Sequence, residues 1–258
     1  MIVYGRNAVF EALRGRRAHA VSDVWATDGA AREPWLAGIA LRLAPAEQIE
    51  RRCGSPEHQG ICAQAGPYPY AGAQELLAAS SPLLVALDQV QDPQNLGSIC
   101  RSADAVGAAG VVMPDRRAAA VTPAVCKASA GAVEHVRVAR VRNLADFLAD
   151  ARRAGCWCYG ASAPAGDRDE GDDDQGRPDG RRGAQGRGSD AVAYDEPDYA
   201  GGGVVLVLGS EGRGLRPRVA SACDQLISLP QLGRVQSLGV SAAAAALLYE
   251  ILQDRRRG

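Results

Sequence analysis

Three stretches of this chain place chemistry-bearing side chains where backbone geometry can serve a ligand. The first, Val204-Val-Leu-Val-Leu-Gly-Ser-Glu-Gly-Arg-Gly-Leu215, is an apolar run that enters a glycine-rich turn. Such a turn brings backbone N–H and C=O groups up to a ligand with no Cβ in the way. Its order, Gly-x-x-Gly-x-Gly after a late strand, is neither the Gly-x-Gly-x-x-Gly of a dinucleotide fold nor a Walker-A loop. Glu211, inside the turn, is a carboxylate that calls for a ligand or for backbone donors. The second stretch, Asp88 to Ala103, is a polar loop directly after the apolar run Leu83–Leu87. It falls at the carboxyl edge where α/β sheets bind ligands. Asn95 stands near the start of the following helix and Arg101 about two turns on, where a guanidinium suits a phosphate. The third, Ile227 to Ser241, runs from a strand through Leu229-Pro230 and a loop into a helix that Ser237 or Ser241 can cap. Taken singly, these read as a tight turn, a solvated helix face and a plain cap. Taken together, they are three loops that each follow a strand of one parallel sheet, the ligand site of an α/β enzyme.

The elements that must hold these loops are legible in the same pattern. Residues 1–66 read as a small α/β unit. It holds a helix over Ala8–Arg14 capped by Asn7, a strand over Val21–Thr27, helical stretches over Pro34–Ala40 and Pro45–Arg52, and a strand over Gly60–Ala65. Residues 67–80 open with Pro-Tyr-Pro-Tyr and read as a linker. From residue 81 to 258 strands and helices alternate. Strands are expected at Leu83–Leu87, Gly110–Met113, Val136–Val141, Cys156–Gly160, Val204–Leu208 and Leu226–Leu229. Helices are expected at Asn95–Val106, Thr122–Ala130, Leu144–Ala154 and Ser237–Asp254. That alternation predicts a parallel sheet covered on both faces. The pattern stops over 163–202, where Gly166–Asp190 carries eight acids, five Arg and seven Gly with Ala184 its only apolar side chain. A stretch this polar buries nothing and is expected to be disordered, a surface-loop insertion or a charged tether.

Composition bounds the class. An apolar fraction of 47% across 258 residues supports a packed core. Aromatics at 5% argue against an aromatic-rich single-strand binder as the whole function, and a net charge of -1 excludes a polybasic protein. The seven cysteines include no Cys-x-x-Cys pair and the three His are isolated, so no metal site is expected. No apolar run reaches membrane-spanning length, and the amino terminus does not read as a signal peptide. The chain is expected to be reduced, soluble and cytoplasmic, with no membrane partner.

The three stretches together resemble the SpoU family of RNA ribose 2′-O-methyltransferases, in the knotted SPOUT superfamily. Asp92-Pro-Gln-Asn-Leu-Gly-Ser-Ile-Cys-Arg-Ser-Ala-Asp104 resembles the family's first motif and Leu206-Val-Leu-Gly-Ser-Glu-Gly-Arg-Gly-Leu215 its second. Leu229-Pro230, with Ser237-Leu-Gly-Val-Ser-Ala-Ala243 and on to Glu250, resembles the third. Tyr4-Gly-Arg-Asn-Ala-Val9, His58-Gln-Gly-Ile61 and Lys127 to His135 add supporting matches. The N-terminal matches look most like the subgroup that methylates a guanosine of 23S ribosomal RNA. The resemblance implies an α/β fold whose C-terminal parallel-sheet domain carries a trefoil knot, preceded by a small ribosomal-protein-like RNA-binding domain. It also implies a homodimer that binds S-adenosylmethionine through Leu208, Gly209, Ser210, Gly214, Leu229 and Leu238. Arg101, Asn95, Glu211 and Ser237 would carry catalysis. Free Arg is essentially always protonated, so the role that suits Arg101 is clamping the phosphate 3′ of the target ribose. Asn95 would orient Arg101 or the ribose, and Glu211 and Ser237 would shape the pocket. Arg6, Arg14, Arg16 and Arg17 are candidates for RNA backbone contacts. One position departs from the family: Gly239 stands where the third motif usually has Asn. Two alternatives stay open: the same reaction on transfer RNA and, with Gly239 as its motive, a catalytically impaired RNA-binding assembly protein.

Overall fold

The computed structural model describes residues 1–162, 191–234 and 238–258, which form two sheets. The first unit contains β1 (Ile2–Tyr4), α1 (Arg6–Ala12), β2 (Val21–Ala26), β3 (Leu41–Leu43), α2 (Ala46–Cys53) and β4 (Ile61–Ala65). Its strands lie in the order β1-β4-β2-β3, antiparallel except for the β2/β3 pair. Asn7 does not cap α1. The helix starts earlier, at Arg6, because Gly5 takes φ +90° and donates its N–H to Ile61 O at 3.1 Å. Of the helix expected over Pro34–Ala40 only the single turn Pro34–Leu36 forms, and the chain then extends into β3.

The remainder adds α3 (Ala73–Leu77), β5 (Leu83–Asp88), α4 (Pro93–Ala105), β6 (Gly110–Pro114), α5 (Pro123–Ala128), β7 (Val138–Val141) and α6 (Leu144–Arg153). It continues with β8 (Cys156–Ser162), β9 (Val192–Ala193), β10 (Gly203–Gly209), α7 (Pro217–Ala220), β11 (Gln225–Ser228) and α8 (Val240–Arg257). Seven strands pair in the order β7-β6-β5-β10-β8-β11-β9, every pair parallel. Every residue of the central strands β5 and β10 is buried, as a parallel sheet covered on both faces requires. Strand alternation divides their side chains. Leu83, Val85, Leu87, Val204, Leu206 and Leu208 pack with Leu96, Ile99 and Cys100 of α4 and Leu247, Leu248 and Ile251 of α8. Leu84, Ala86, Val205 and Val207 pack on the other face with Leu144, Phe147 and Leu148 of α6. The seven cysteines are free, and burial pushes the thiols of Cys100 and Cys126 up to about 12. No described helix is long and apolar enough to cross a membrane.

Two expectations about the connections are corrected. Residues 67–80 are not a bare linker. The buried Tyr68 hydroxyl shares its one proton between Val133 O at 2.9 Å and Val136 O at 3.0 Å, while Ala71 bridges to Ala139 of β7 and α3 buries Leu76 and Leu77. In the segment expected to be disordered, residues 163–190 lie outside the described residues. Residues 191–202, however, hold β9 and the buried Tyr199, whose ring meets Tyr159 edge-on at 4.9 Å.

Candidate active site

All three motif loops leave the carboxyl edge of the large sheet, after β5, β10 and β11. Asp92 begins α4 by accepting from Gln94 N at 3.0 Å, and Pro93 supplies the first helical residue, so the helix starts two residues before Asn95. Gly97 lets α4 lie close on α5, since a Cβ there would sit 2.5 Å from Ala128 Cβ. This packing fixes the helix that carries Asn95 and Arg101.

After β10 the chain reverses in a loop closed by Ser210 N to Gly214 O at 3.2 Å and Gly214 N to Ser210 O at 2.9 Å. A Cβ on Gly209 would lie 2.2 Å from Gly214 C, so only glycine fits where the loop folds back. Gly212 and Gly214 take φ +75° and +63°, the left-handed region that glycine enters without strain. Asp88 ties down the far end of this loop. Its fully buried carboxylate accepts from Arg216 N and Nε, each at 2.8 Å, and lies 2.7 Å from the second guanidinium nitrogen. Sequence reasoning gave Asp88 no role. The signal was present, because an acid that ends an all-apolar buried strand must be paired.

A cleft of about 260 Å³ opens between the loops. Leu208, Gly209, Ser210, Gly214, Leu229 and Leu238, the six positions expected to hold the cofactor, all line it, as does Glu211. Lining residues that the sequence did not single out include Ile227, Gln231, Val240 and Leu247. Asn95 Nδ2 donates to Glu211 Oε1 at 2.6 Å, so the first and second motifs meet at the cleft mouth. Arg101 is exposed on α4 and is not among the lining residues. Ser237 lies outside the described residues. The helix expected from Ser237 starts at Val240, with Gly239 before it at φ +76°, ψ 144°. Gly239 is therefore not a weak spot inside the helix; it holds a conformation that strains other residues.

The four arginines proposed for RNA differ in exposure. Arg6 is exposed and pairs with Glu33 at 2.6 Å, Arg14 lies 3.7 Å over the Phe10 ring, and Arg16 reaches Pro69 O at 3.3 Å. Arg17 is 1% exposed, which removes it from any RNA-facing role. Its Nε and a terminal nitrogen bind Glu134 at 2.8 and 2.6 Å, and the other terminal nitrogen donates to Gly66 O at 3.0 Å.

A parallel sheet with a glycine-lined cleft at its carboxyl edge, preceded by a separate small unit, defines a ligand-binding α/β enzyme. The SpoU rRNA methylase family model matches residues 82–249, and the model for RNA 2′-O ribose methyltransferase substrate binding matches residues 2–71. The chain belongs to the SpoU rRNA methylase family, a family of RNA methyltransferases. It is 37% identical over 266 residues to a Bacillus subtilis protein provisionally assigned to the TrmH family of tRNA/rRNA methyltransferases, covering 98% of this chain and 95% of that one. An uncharacterized tRNA/rRNA methyltransferase of Mycobacterium avium is 39% identical, covering 98% and 77%. Among solved structures, an AdoMet-bound rRNA methyltransferase of Sinorhizobium meliloti superposes with a TM-score of 0.75 at 24% identity, covering 98% of this chain and 86% of the other.

Proposed function

We propose that the protein transfers a methyl group from S-adenosylmethionine to a ribose 2′-hydroxyl of RNA, its target a guanosine of 23S ribosomal RNA, and that it acts as a homodimer in the cytoplasm. The observation that carries this reading is the Asn95–Glu211 hydrogen bond, which joins two motif loops at the mouth of a cleft lined by all six expected cofactor positions. The cleft suits such a ligand. Leu208, Ile227, Leu229, Val240 and Leu247 give it apolar walls. A Cβ on Gly212, Gly214 or Gly239 would meet nothing within 4 Å, so a ligand can approach the backbone there. Gln231 Oε1 is buried beside the same walls with no hydrogen-bond partner.

The cofactor supplies an electrophilic methyl group on a sulfonium. A ribose hydroxyl is a weak acid and a poor nucleophile, so positioning it and removing its proton carry the rate. Arg101, exposed on α4, holds the phosphate next to the target ribose. Asn95, fixed by Glu211, orients the ribose. Arg6, Arg14 and Arg16 extend the RNA contact over the small unit. Mapping 2′-O-methylation in ribosomal RNA with and without the gene tests this. One guanosine that loses its mark is the expected result; marks lost only from transfer RNA, or from no RNA, overturn it. Light scattering checks the dimer.

A further inference from the structure

Among the described residues, one buried side-chain oxygen or nitrogen has no hydrogen-bond partner, Oε1 of Gln231. An unpaired buried acceptor is costly, and native proteins keep few of them. Gln231 follows β11 and lines the cleft with Leu229 on one side of it in sequence and Leu238 and Val240 farther on. The terminal torsion of a glutamine is broad, so a turn about it is what brings the buried oxygen to face the cleft that Gln231 lines. A carbonyl oxygen only accepts, and the missing partner is therefore a donor.

On the cofactor reading above, on which this inference rests, three kinds of donor are available: the adenine amine, the ribose hydroxyls and the α-ammonium. The surroundings choose between them. Ile227, Leu229, Val240 and Leu247 form apolar walls that suit a flat heteroaromatic ring, whereas the Glu211 carboxylate on the lining suits the charged ammonium. The adenine amine lies on the edge of that ring. We propose that Gln231 is a specificity-determining residue of the cleft, its side-chain carbonyl accepting an N–H of the adenine exocyclic amine. The pocket thereby distinguishes adenine from a purine that lacks the amine.

Calorimetric titration of the full chain tests this with two ligands, S-adenosylhomocysteine and its purine analogue without the exocyclic amine. The wild-type protein is expected to prefer the first. Gln231→Leu, similar in size and apolar, is expected to bind S-adenosylhomocysteine roughly 3- to 10-fold more weakly, the loss of one neutral hydrogen bond, and to lose the preference by the same factor. Gln231→Glu keeps an acceptor and is expected to retain the preference. The ligand-free Gln231→Leu protein is expected to melt no lower than wild type, because an unpaired polar atom has been removed; that separates loss of recognition from loss of fold. Unchanged affinity of Gln231→Leu for S-adenosylhomocysteine, or an equal loss for both ligands, overturns the assignment. A wild-type protein that binds neither ligand overturns the cofactor reading itself, and this inference with it.

Discussion

Arg101 and Asn95 lie on one helix, and their different surroundings suit the different tasks proposed for them. Asn95 is half-buried and held by Glu211, whereas Arg101 is exposed and lies outside the cleft lining. Arg101→Ala is therefore expected to abolish methyl transfer while cofactor affinity stays within a few-fold and stability within about 0.5 kcal/mol, as for other surface changes. Titration calorimetry and a labelled-methyl assay on the same preparation check this; a variant that folds but no longer binds cofactor would overturn the division of roles. At position 239 the backbone conformation reverses what the sequence alone suggests. From the sequence alone, the family's Asn offers an extra amide. At φ +76°, ψ 144°, a side chain other than glycine's carries strain of about 1–3 kcal/mol. Gly239→Asn is expected to lower the melting temperature by several degrees and to slow methyl transfer. A faster enzyme with unchanged melting would show that the backbone before α8 rearranges freely.

The glycine-rich turn works as an element because both of its ends are fastened. Gly209 folds against Gly214 at one end, and the buried Asp88 carboxylate grips Arg216 at the other. Asp88→Asn removes the charge and leaves one acceptor where the wild type has two. The Arg216 side chain is 45% exposed and can rehydrate, so the expected loss is about 1–3 kcal/mol, below that of a fully buried pair. Cofactor affinity should fall along with stability, since the loosened turn is a cleft wall; urea denaturation with calorimetry measures both. Unchanged affinity would mean that the Ser210–Gly214 bonds hold the turn unaided. Much at this scale was legible. The continuous apolar runs at Leu83 and Val204 announced the two central strands, and the helix expected over Leu144–Ala154 forms as α6, where the Asn143 side chain accepts from Ala145 N at 3.1 Å. Strands of two or three residues (β1, β3 and β9) escaped because so short a run has no period to read. Helix starts shifted where a cap came from backbone conformation, as at Gly5, and not from a side chain. Asp88 depends on a partner 128 residues away, and Gln231 stands out only by an Oε1 with no partner, neither of which spacing reveals.

At the scale of the whole molecule, the small unit is docked and not tethered. Gly15 and Gly131 let the backbones meet: a Cβ on either would fall 2.6 Å from a side-chain atom of Glu134 or Glu11, respectively. His135 reaches Glu11 at 2.7 Å across the same seam. Beneath it lies the Arg17–Glu134 pair, with side-chain exposures of 2% and 1%. Arg17 looked like one more surface arginine because a guanidinium near the sequence Arg14-Gly-Arg-Arg17 gives no hint of a carboxylate 117 residues away. Its geometry assigns it to holding the small unit at one angle to the cleft. Two ions taken out of water gain little net stability as a pair, but removing one partner leaves a buried charge uncompensated. Arg17→Met is therefore expected to cost about 3–5 kcal/mol in urea denaturation. Combining it with Glu134→Leu should recover most of that loss, since an apolar pair of similar volume replaces the ionic one; the recovery should be incomplete because Gly66 O still loses its donor. If the single variant instead lies within about 1 kcal/mol of wild type, below the range for broken buried pairs, water must reach Glu134. The two units would then move against each other, and the fixed angle argued here would fail.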